Sequence, residues 1–148
     1  MDIRHLESDP LIQQIVKLCP EAVITGSNAL VAWGHMSREP EDIDIIVPTK
    51  AAMRHIAENM TCGKYGNGVV YAMPSREWYH LWFDDDDETK VHVLVLPDAP
   101  FVSIFGHRIS TPEPIWEAKE AYAKDKHGYP EKHKADIAAR PDNWRARP

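Results

Sequence analysis

The stretch VITGSNALVAWGHMSREPEDIDIIVP, from Val23 to Pro48, sets the expected fold. A short apolar run ends in Gly-Ser, a helix-like segment follows, and a second apolar run carries Asp42 and Asp44. Because side chains alternate across a strand, both aspartates share one face with Ile46, and their Cα atoms lie roughly 7 Å apart. Aspartate is a poor strand former, so two of them in a strand rich in isoleucine and valine need a physical reason.

Two explanations are open for this pair of carboxylates. The first is the start of an edge strand whose acidic side chains face water, which a DxD pattern alone favours. The second is a site for a hard divalent cation, because Mg²⁺ prefers oxygen ligands, usually one or two carboxylates completed by phosphates and water. Gly26 and Ser27 end the preceding strand and open a helix, whose backbone N–H groups and dipole attract anions. This context favours the second explanation, the binding of a nucleoside triphosphate with its metal.

The remaining pattern predicts a single α/β (α+β) domain over residues 1–148, with a mixed sheet and helices mainly on one face. Asp9 and Thr49 are expected to cap helices, and Ser27 to cap the short helix after the first strand. Further strands are predicted at 69–73, 78–83 and 90–96, an edge or loop segment at 101–109, helices at 112–124 and 130–139, and an irregular tail at about 140–148. The strands at 78–83 and 90–96 are expected to form a hairpin.

Composition and charge narrow the class of protein. A chain of 148 residues fits one domain. The net charge of −6 argues against general coating of nucleic acid, which depends on neutralising phosphates. Cys19 and Cys62 form no CxxC pattern, which favours a reduced, intracellular protein. The N-terminus has no signal-peptide pattern, and no apolar run is long enough to span a bilayer. We therefore expect a soluble cytoplasmic protein without membrane association.

Two motifs resemble those of a known superfamily. GSNAL followed by EDIDI is similar to the Gly-Ser…Asp-x-Asp signature of the nucleotidyltransferases, which include DNA polymerase β and the aminoglycoside nucleotidyltransferases. The order of strand, Gly-Ser, short helix, loop, DxD strand and helix also agrees. The resemblance is closest over Val23 to Pro48 and extends more weakly to about Ala139, where KHKADI resembles the helical end of small members.

The resemblance implies a reaction and a role for each matching residue. The reaction is the transfer of a nucleoside monophosphate from an NTP, such as ATP, to a hydroxyl group, with release of pyrophosphate. Gly26 and Ser27 would hold the β- and γ-phosphates. Asp42 and Asp44 would ligate Mg²⁺ (or Mn²⁺) and so position the α-phosphate. Much of the catalysis would then be positioning and charge stabilisation.

The C-terminal helices would supply a lysine that neutralises the leaving pyrophosphate. Lys119 is the first choice and Lys134 the second, although a helix lysine commonly faces solvent. The acceptor is unidentified and is a small molecule, an RNA or a protein. Small members of the superfamily lack bulk around the site, so the resemblance also implies a homodimer or a separate partner protein.

The pattern departs from the superfamily on the strand KVHVLVL. Members usually place a third carboxylate here, whereas this chain has His92, which shares a face with Leu94 and Leu96. Three alternatives follow. His92 acts as the base; Asp87 or Glu88 reaches in from the neighbouring acidic turn; or the site binds nucleotide and metal without turnover. The last describes a catalytically impaired member that acts by binding nucleotide or a partner protein, in a regulatory or toxin–antitoxin-like role.

Three further stretches have a functional and a structural interpretation. DDDDE (84–88) would attract a cationic acceptor, but is more typical of a solvated turn. WYHLWF (78–83) offers aromatic rings that stack on a base or sugar, but alternation between the core and a partner surface is the more common arrangement. GKYGNG (63–68) looks superficially like a phosphate loop but lacks GxxxxGK[ST], so we expect a turn.

Overall fold

The computed structural model describes residues 1–61, 65–68, 76–83, 86–125 and 130–145, with backbone only at 67–68, 83 and 86–90. The helices are α1 (Arg4–Glu7), α2 (Pro10–Leu18), α3 (Gly26–Ala32), α4 (Lys50–Met60), α5 (Pro112–Ala123) and α6 (Pro130–Ala138). The strands are β1 (Val23–Thr25), β2 (Ile43–Val47), β3 (Tyr65–Gly68), β4 (Glu77–Phe83), β5 (Asp86–Val95), β6 (Phe101–Ile104) and β7 (His107–Ser110).

The strands form one mixed sheet in the order β3-β4-β5-β2-β1-β7-β6. Strand β2 runs parallel to β5, and β1 runs parallel to β7. The other neighbours are antiparallel, including the predicted hairpin of β4 and β5. The predicted fold class, a mixed sheet with helices, is confirmed. The order also places the DxD strand at the centre of the sheet, so Asp44 does not lie on an edge strand.

Two helices begin where their capping residues predict. The Asp9 carboxylate accepts hydrogen bonds from the backbone N–H groups of Leu11 and Ile12, and Pro10 occupies the first turn of α2. The Thr49 hydroxyl accepts a hydrogen bond from the N–H of Ala52 at the start of α4. Each cap satisfies backbone donors that have no partner within the helix, and is worth about 1 kcal/mol.

Alternation along β2 separates a buried face of the sheet from a face that borders a cavity. Ile43, Ile45 and Val47 are at most 8% exposed and belong to the main hydrophobic core. Helix α4 contacts β2 and β5, and α2 contacts α4. Each fully buried aliphatic side chain contributes roughly 1.5–3 kcal/mol. A one-residue shift of β2 would place Asp44 in this core, so the hydrophobic pattern fixes the face on which the aspartate lies.

Three local predictions need correction. Residues Tyr65–Gly68 form β3 instead of a turn, and a Cβ on Gly66 would lie 2.9 Å from the Trp82 ring, so glycine permits this close strand pairing. Helix α3 begins at Gly26, with Thr25 at the cap position, so Ser27 lies in the first turn and is not the cap. The segment 101–109 is a hairpin that contributes the inner strand β7 as well as the edge strand β6.

Residues 140–145, the described part of the tail, form turns without a helix or strand, and they pack against the core. Trp144 is 8% exposed and belongs to the core cluster. The guanidinium groups of Arg140 and Arg145 lie 4.3 and 4.1 Å from its ring centre, a cation–π arrangement. The strand predicted at 69–73 lies outside the described residues, and the single domain over 1–148 stays a prediction. None of the described helices is long and apolar enough to cross a bilayer.

Candidate functional site

The central feature of the site is a row of side chains that crosses three strands on the cavity face. Thr25 of β1 pairs with Asp44 of β2, and Asp44 pairs with His92 of β5. Cross-strand partners have their Cβ atoms about 5 Å apart. The predicted shared face of Asp42, Asp44 and Ile46 is also observed, since all three line the same cavity.

Gly26 makes room for the Asp44 carboxylate. It has a φ of +63°, a left-handed conformation that side chains other than glycine rarely adopt. A Cβ added at this position would collide with Asp44 Oδ2. The glycine therefore serves both the turn from β1 into α3 and the close approach of a carboxylate to the backbone at that turn.

Asp42 presents a buried oxygen without a partner among the described residues. This atom, Oδ1, makes no hydrogen bond to any of them, while the buried side-chain amide of Asn28 donates to the Asp42 backbone carbonyl at 3.0 Å. A buried carboxylate oxygen without a donor costs free energy. A divalent cation would remove that cost, so the donor set of Asp42 and Asp44 fits Mg²⁺ or Mn²⁺. The described residues include no group of three or more His, Cys, Asp or Glu side chains suited to a metal, and Mg²⁺ in protein sites commonly completes its shell with phosphate and water.

His92 occupies the position where a third carboxylate was expected. Its Nδ1 lies 3.2 Å from Asp44 Oδ1, and its ring packs against Trp78 and His80 at centroid distances of 5.3 and 4.9 Å. The imidazole thus contacts one oxygen of the predicted metal ligand directly. The alternative candidates from the acidic turn, residues 87 and 88, have side chains outside the described part of the structure.

A buried carboxylate on α6, Asp136, does not line the cavity itself but bonds the cavity-lining Lys119 of α5 and also Arg38 of the loop before β2. Asp136 accepts hydrogen bonds from Arg38 Nε (2.9 Å) and Nη2 (2.8 Å), and from Lys119 Nζ (3.0 Å). Arg38 Nη2 also donates to Ser27 Oγ at 3.3 Å. Two cations therefore share one anion, which leaves the cluster with a surplus positive charge beside Ser27. We call these four residues the Asp136 cluster.

The ionisation of this cluster follows from its contacts. Burial alone would raise the pKa of Asp136, but the hydrogen bonds from Arg38 and Lys119 outweigh it and lower that pKa to about 2. Burial lowers the pKa of Lys119, and its hydrogen bond to Asp136 opposes that effect. Because the carboxylate holds both donors at short distances, we assign Asp136 and Lys119 as an ionised pair at neutral pH.

Helices α5 and α6 form the wall opposite the sheet. Burial, followed by the Asp44 charge, raises the pKa of Tyr122 to about 12. Burial and the nearby lysine charges of Lys119 and Lys132 lower the pKa of His133 to about 4, and its Nδ1 is buried without a hydrogen-bond partner among the described residues. The Tyr122 and His133 rings lie 5.0 Å apart. Both groups are therefore neutral at physiological pH.

One cavity of about 690 Å³ brings most of the predicted residues together. This volume is in the range of small-molecule sites. The predicted residues that line it are Gly26, Ser27, Asp42, Asp44, His92 and Lys119. Lys134 is not among the lining residues: its side chain is 56% exposed and pairs with Glu131 at 3.1 Å. Of the two predicted lysines, only Lys119 lies at the cavity.

Two residues of the Asp136 cluster were not predicted from the sequence. Arg38 lies in the loop before β2, and its guanidinium reaches Asp136, 98 residues away in the chain. One signal could have indicated Asp136: it is the one acidic residue of KHKADI, the segment that resembles the helical end of small nucleotidyltransferases. No sequence pattern connects it to Arg38.

The same fold occurs in a solved structure. The chain aligns with the crystal structure of a Helicobacter pylori protein that is provisionally described as a nucleotidyltransferase. The TM-score is 0.51 and the identity 20%, over 84% of this chain and 61% of the other. A second H. pylori structure, JHP933, aligns at a TM-score of 0.48 and 19% identity, over 83% and 58%. The chain thus spans about three fifths of the length of these structures. No protein-family profile and no curated protein matches the sequence. The chain has a nucleotidyltransferase-like fold.

Proposed function

We propose that this protein transfers a nucleoside monophosphate from an NTP to a hydroxyl acceptor in a metal-dependent reaction. The observation that carries the proposal is the buried Asp42 Oδ1, unpartnered among the described residues, beside Asp44 in a cavity that also contains Lys119. The nucleotidyltransferase-like fold supports it. A cavity with two carboxylates at one wall and surplus positive charge beside Ser27 suits a metal-bound triphosphate.

Asp42 and Asp44 would hold Mg²⁺ (or Mn²⁺), which when bound withdraws charge from the phosphoryl oxygens and aligns the reacting groups. Asn28 holds the backbone of Asp42, and Gly26 admits the Asp44 carboxylate, so this chain fixes both ligands before substrate arrives. His92 contacts Asp44 Oδ1 and so limits the rotation of that carboxylate.

The transfer forms one bond at the α-phosphorus and breaks another. The acceptor hydroxyl oxygen bonds to the α-phosphorus, the bond from that phosphorus to the bridging oxygen of the β-phosphate breaks, and pyrophosphate leaves with its electron pair. Lys119, and Arg38 through Ser27, would offset the charge that develops on pyrophosphate. His92 is our candidate for the group that takes the hydroxyl proton.

The direct test is transfer of label from NTPs radiolabelled at the α-phosphate, with Mg²⁺ or Mn²⁺, to small-molecule, RNA and protein acceptors. We expect Asp42→Asn and Asp44→Asn each to lower transfer by roughly 100-fold or more, since each removes a charge that acts on the transition state. Asp142→Asn, at an exposed position outside the cavity, is the matched control. Transfer that persists in both cavity variants would contradict the proposal.

A second candidate function is binding without turnover, in a regulatory or toxin–antitoxin-like role with a partner protein. The observation that favours it is His92, which stands where the third carboxylate was expected and contacts Asp44. Under this alternative, NTP and metal bind and depend on Asp42 and Asp44, but no pyrophosphate forms with any acceptor. Pyrophosphate release measured beside NTP affinity separates the two functions.

A further inference from the structure

The cavity face of the sheet carries a second row of side chains, parallel to the row that contains Asp44. Ile46 of β2 pairs with Leu94 of β5, and Leu94 pairs with Trp78 of β4. All three line the cavity. Each lies two residues along its strand from the row of Asp44 and His92, so the two rows are roughly 7 Å apart.

The two rows differ in chemistry. The first is polar, and the predicted metal ligands and Lys119 lie at that end of the cavity. The second is apolar, and Leu96, which lies two residues beyond Leu94, also lines the cavity. A ligand that fills the cavity would therefore be charged at one end and apolar at the other.

We propose that Trp78 stacks on the nucleobase of the bound nucleotide. This inference rests on the proposed function, which places the α-phosphate at Asp42 and Asp44. Trp78 lies two strands across the sheet from Asp44, about 10 Å, and one pleat along it. The His92 ring contacts both residues, so a base that extends past His92 from the α-phosphate, one ribose away, reaches the indole. Trp78 already packs at 33° to the His92 ring, which restricts its indole before ligand binds.

Stacking also predicts how the site discriminates between nucleotides. An aromatic face attracts every base and reads no hydrogen-bonding edge. Ile46 and Leu94, which share the row of Trp78, are apolar, while Arg76 and the adjacent His92 also line the cavity. We therefore expect all four NTPs to bind, with purines favoured by their larger area.

The same strand supplies a matched control. Trp82 lies four residues from Trp78, on the same face of β4, but its side chain is 53% exposed, packs over Gly66 and is absent from the cavity lining. Trp78→Leu and Trp82→Leu make the same chemical change on one strand, and only the first alters the cavity.

The test compares a ligand that has a base with one that has none. Affinities for ATP and for inorganic tripolyphosphate are measured by calorimetry in Mg²⁺, on the wild type, Trp78→Leu, Trp78→Phe and Trp82→Leu. We expect Trp78→Leu to weaken ATP binding by roughly 5- to 150-fold, as loss of one stacked base does, and to change tripolyphosphate binding less than about twofold. Trp78→Phe, which keeps a ring, recovers part of the loss, and Trp82→Leu changes neither affinity.

Each other outcome overturns the inference in a recognisable way. If Trp78→Leu weakens both ligands equally, the indole supports the fold of the cavity and does not contact the base. If it weakens neither while wild type binds ATP, the base lies elsewhere and the proposed function stands. If wild type binds neither ligand, the proposed function fails and this inference fails with it.

Discussion

Replacement of Asp136 by asparagine tests the Asp136 cluster, because it removes the one anion that Arg38 and Lys119 share. The folded protein holds the Asp136 pKa at about 2, against 3.8 for the free side chain. A difference of about 2 units corresponds to roughly 2.5 kcal/mol at neutral pH. The neutral amide would also leave two cations facing each other, and breaking a buried pair typically costs about 3–5 kcal/mol. We therefore expect Asp136→Asn to lower the free energy of unfolding by about 3 kcal/mol.

The stabilisation by Asp136 should depend on pH, because its pKa differs between the folded and unfolded chain. Because folding depresses the Asp136 pKa, its contribution is fully present above the unfolded value of 3.8 and disappears as the pH falls toward 2. The stability difference between wild type and Asp136→Asn should stay constant from pH 8 to 5 and narrow below pH 4. Urea unfolding across this range measures it, and the melting temperature should fall by roughly 6–12 °C at pH 7.

Glu131→Gln is the control on the same helix. The Glu131 carboxylate is 84% exposed, and its pair with Lys134 is an exposed one, so its loss should cost less than about 0.5 kcal/mol. Equal destabilisation by the two substitutions, or a difference that does not narrow in acid, would refute the reasoning about the cluster.

Two further predictions concern Gly26 and His133. Gly26→Ala should lower the free energy of unfolding in urea by about 1–3 kcal/mol, because alanine is strained in a left-handed conformation, and should also abolish metal-dependent NTP binding, because the new Cβ displaces Asp44. Gly34→Ala is the control: its φ is +79° and nothing lies within 4 Å of the added Cβ, so it should lower stability alone. Equal ligand binding by the two variants would contradict this prediction. Folding lowers the His133 pKa from 6.5 to about 4, so below pH 6.5 the imidazole is protonated in the unfolded chain but stays neutral in the folded one. The free energy of unfolding of the wild type should therefore fall by roughly 2 kcal/mol between pH 7 and 5. His133→Leu should lose correspondingly less over that interval, and an unchanged pH slope would show that the imidazole is protonated in the fold.

The parts of the fold that local chemistry determines were predictable. The Asp9 and Thr49 caps define their helices because each hydroxyl or carboxylate bonds donors two or three residues away. The alternation of isoleucine with aspartate placed Asp44 opposite the core, because a shift by one residue would bury a charge. The place of His92 at the site was expected from the resemblance alone, and the parallel pairing of β2 with β5 is what brings it beside Asp44.

The parts that depend on distant contacts were not predictable. Strand β3 was expected to be a turn, because its sequence is rich in glycine. In the structure Gly66 instead leaves room for the Trp82 ring of the neighbouring strand. The choice between Lys119 and Lys134 required knowledge of which helix surface meets the cavity. Arg38 showed no signal, since its partner Asp136 lies 98 residues away in the sequence, on a helix that follows all the described strands.

The most direct test of the central claim is thermal unfolding with each NTP, with and without Mg²⁺ or Mn²⁺, on wild type and on Asp42→Asn/Asp44→Asn. Ligand at about 100 times its dissociation constant adds roughly 2.7 kcal/mol of stability, which raises the melting temperature by roughly 5–10 °C in a chain of this size. The account predicts a shift in wild type that requires the metal and is absent in the double variant. A shift that is equal in both proteins, or no shift with any nucleotide, would contradict it.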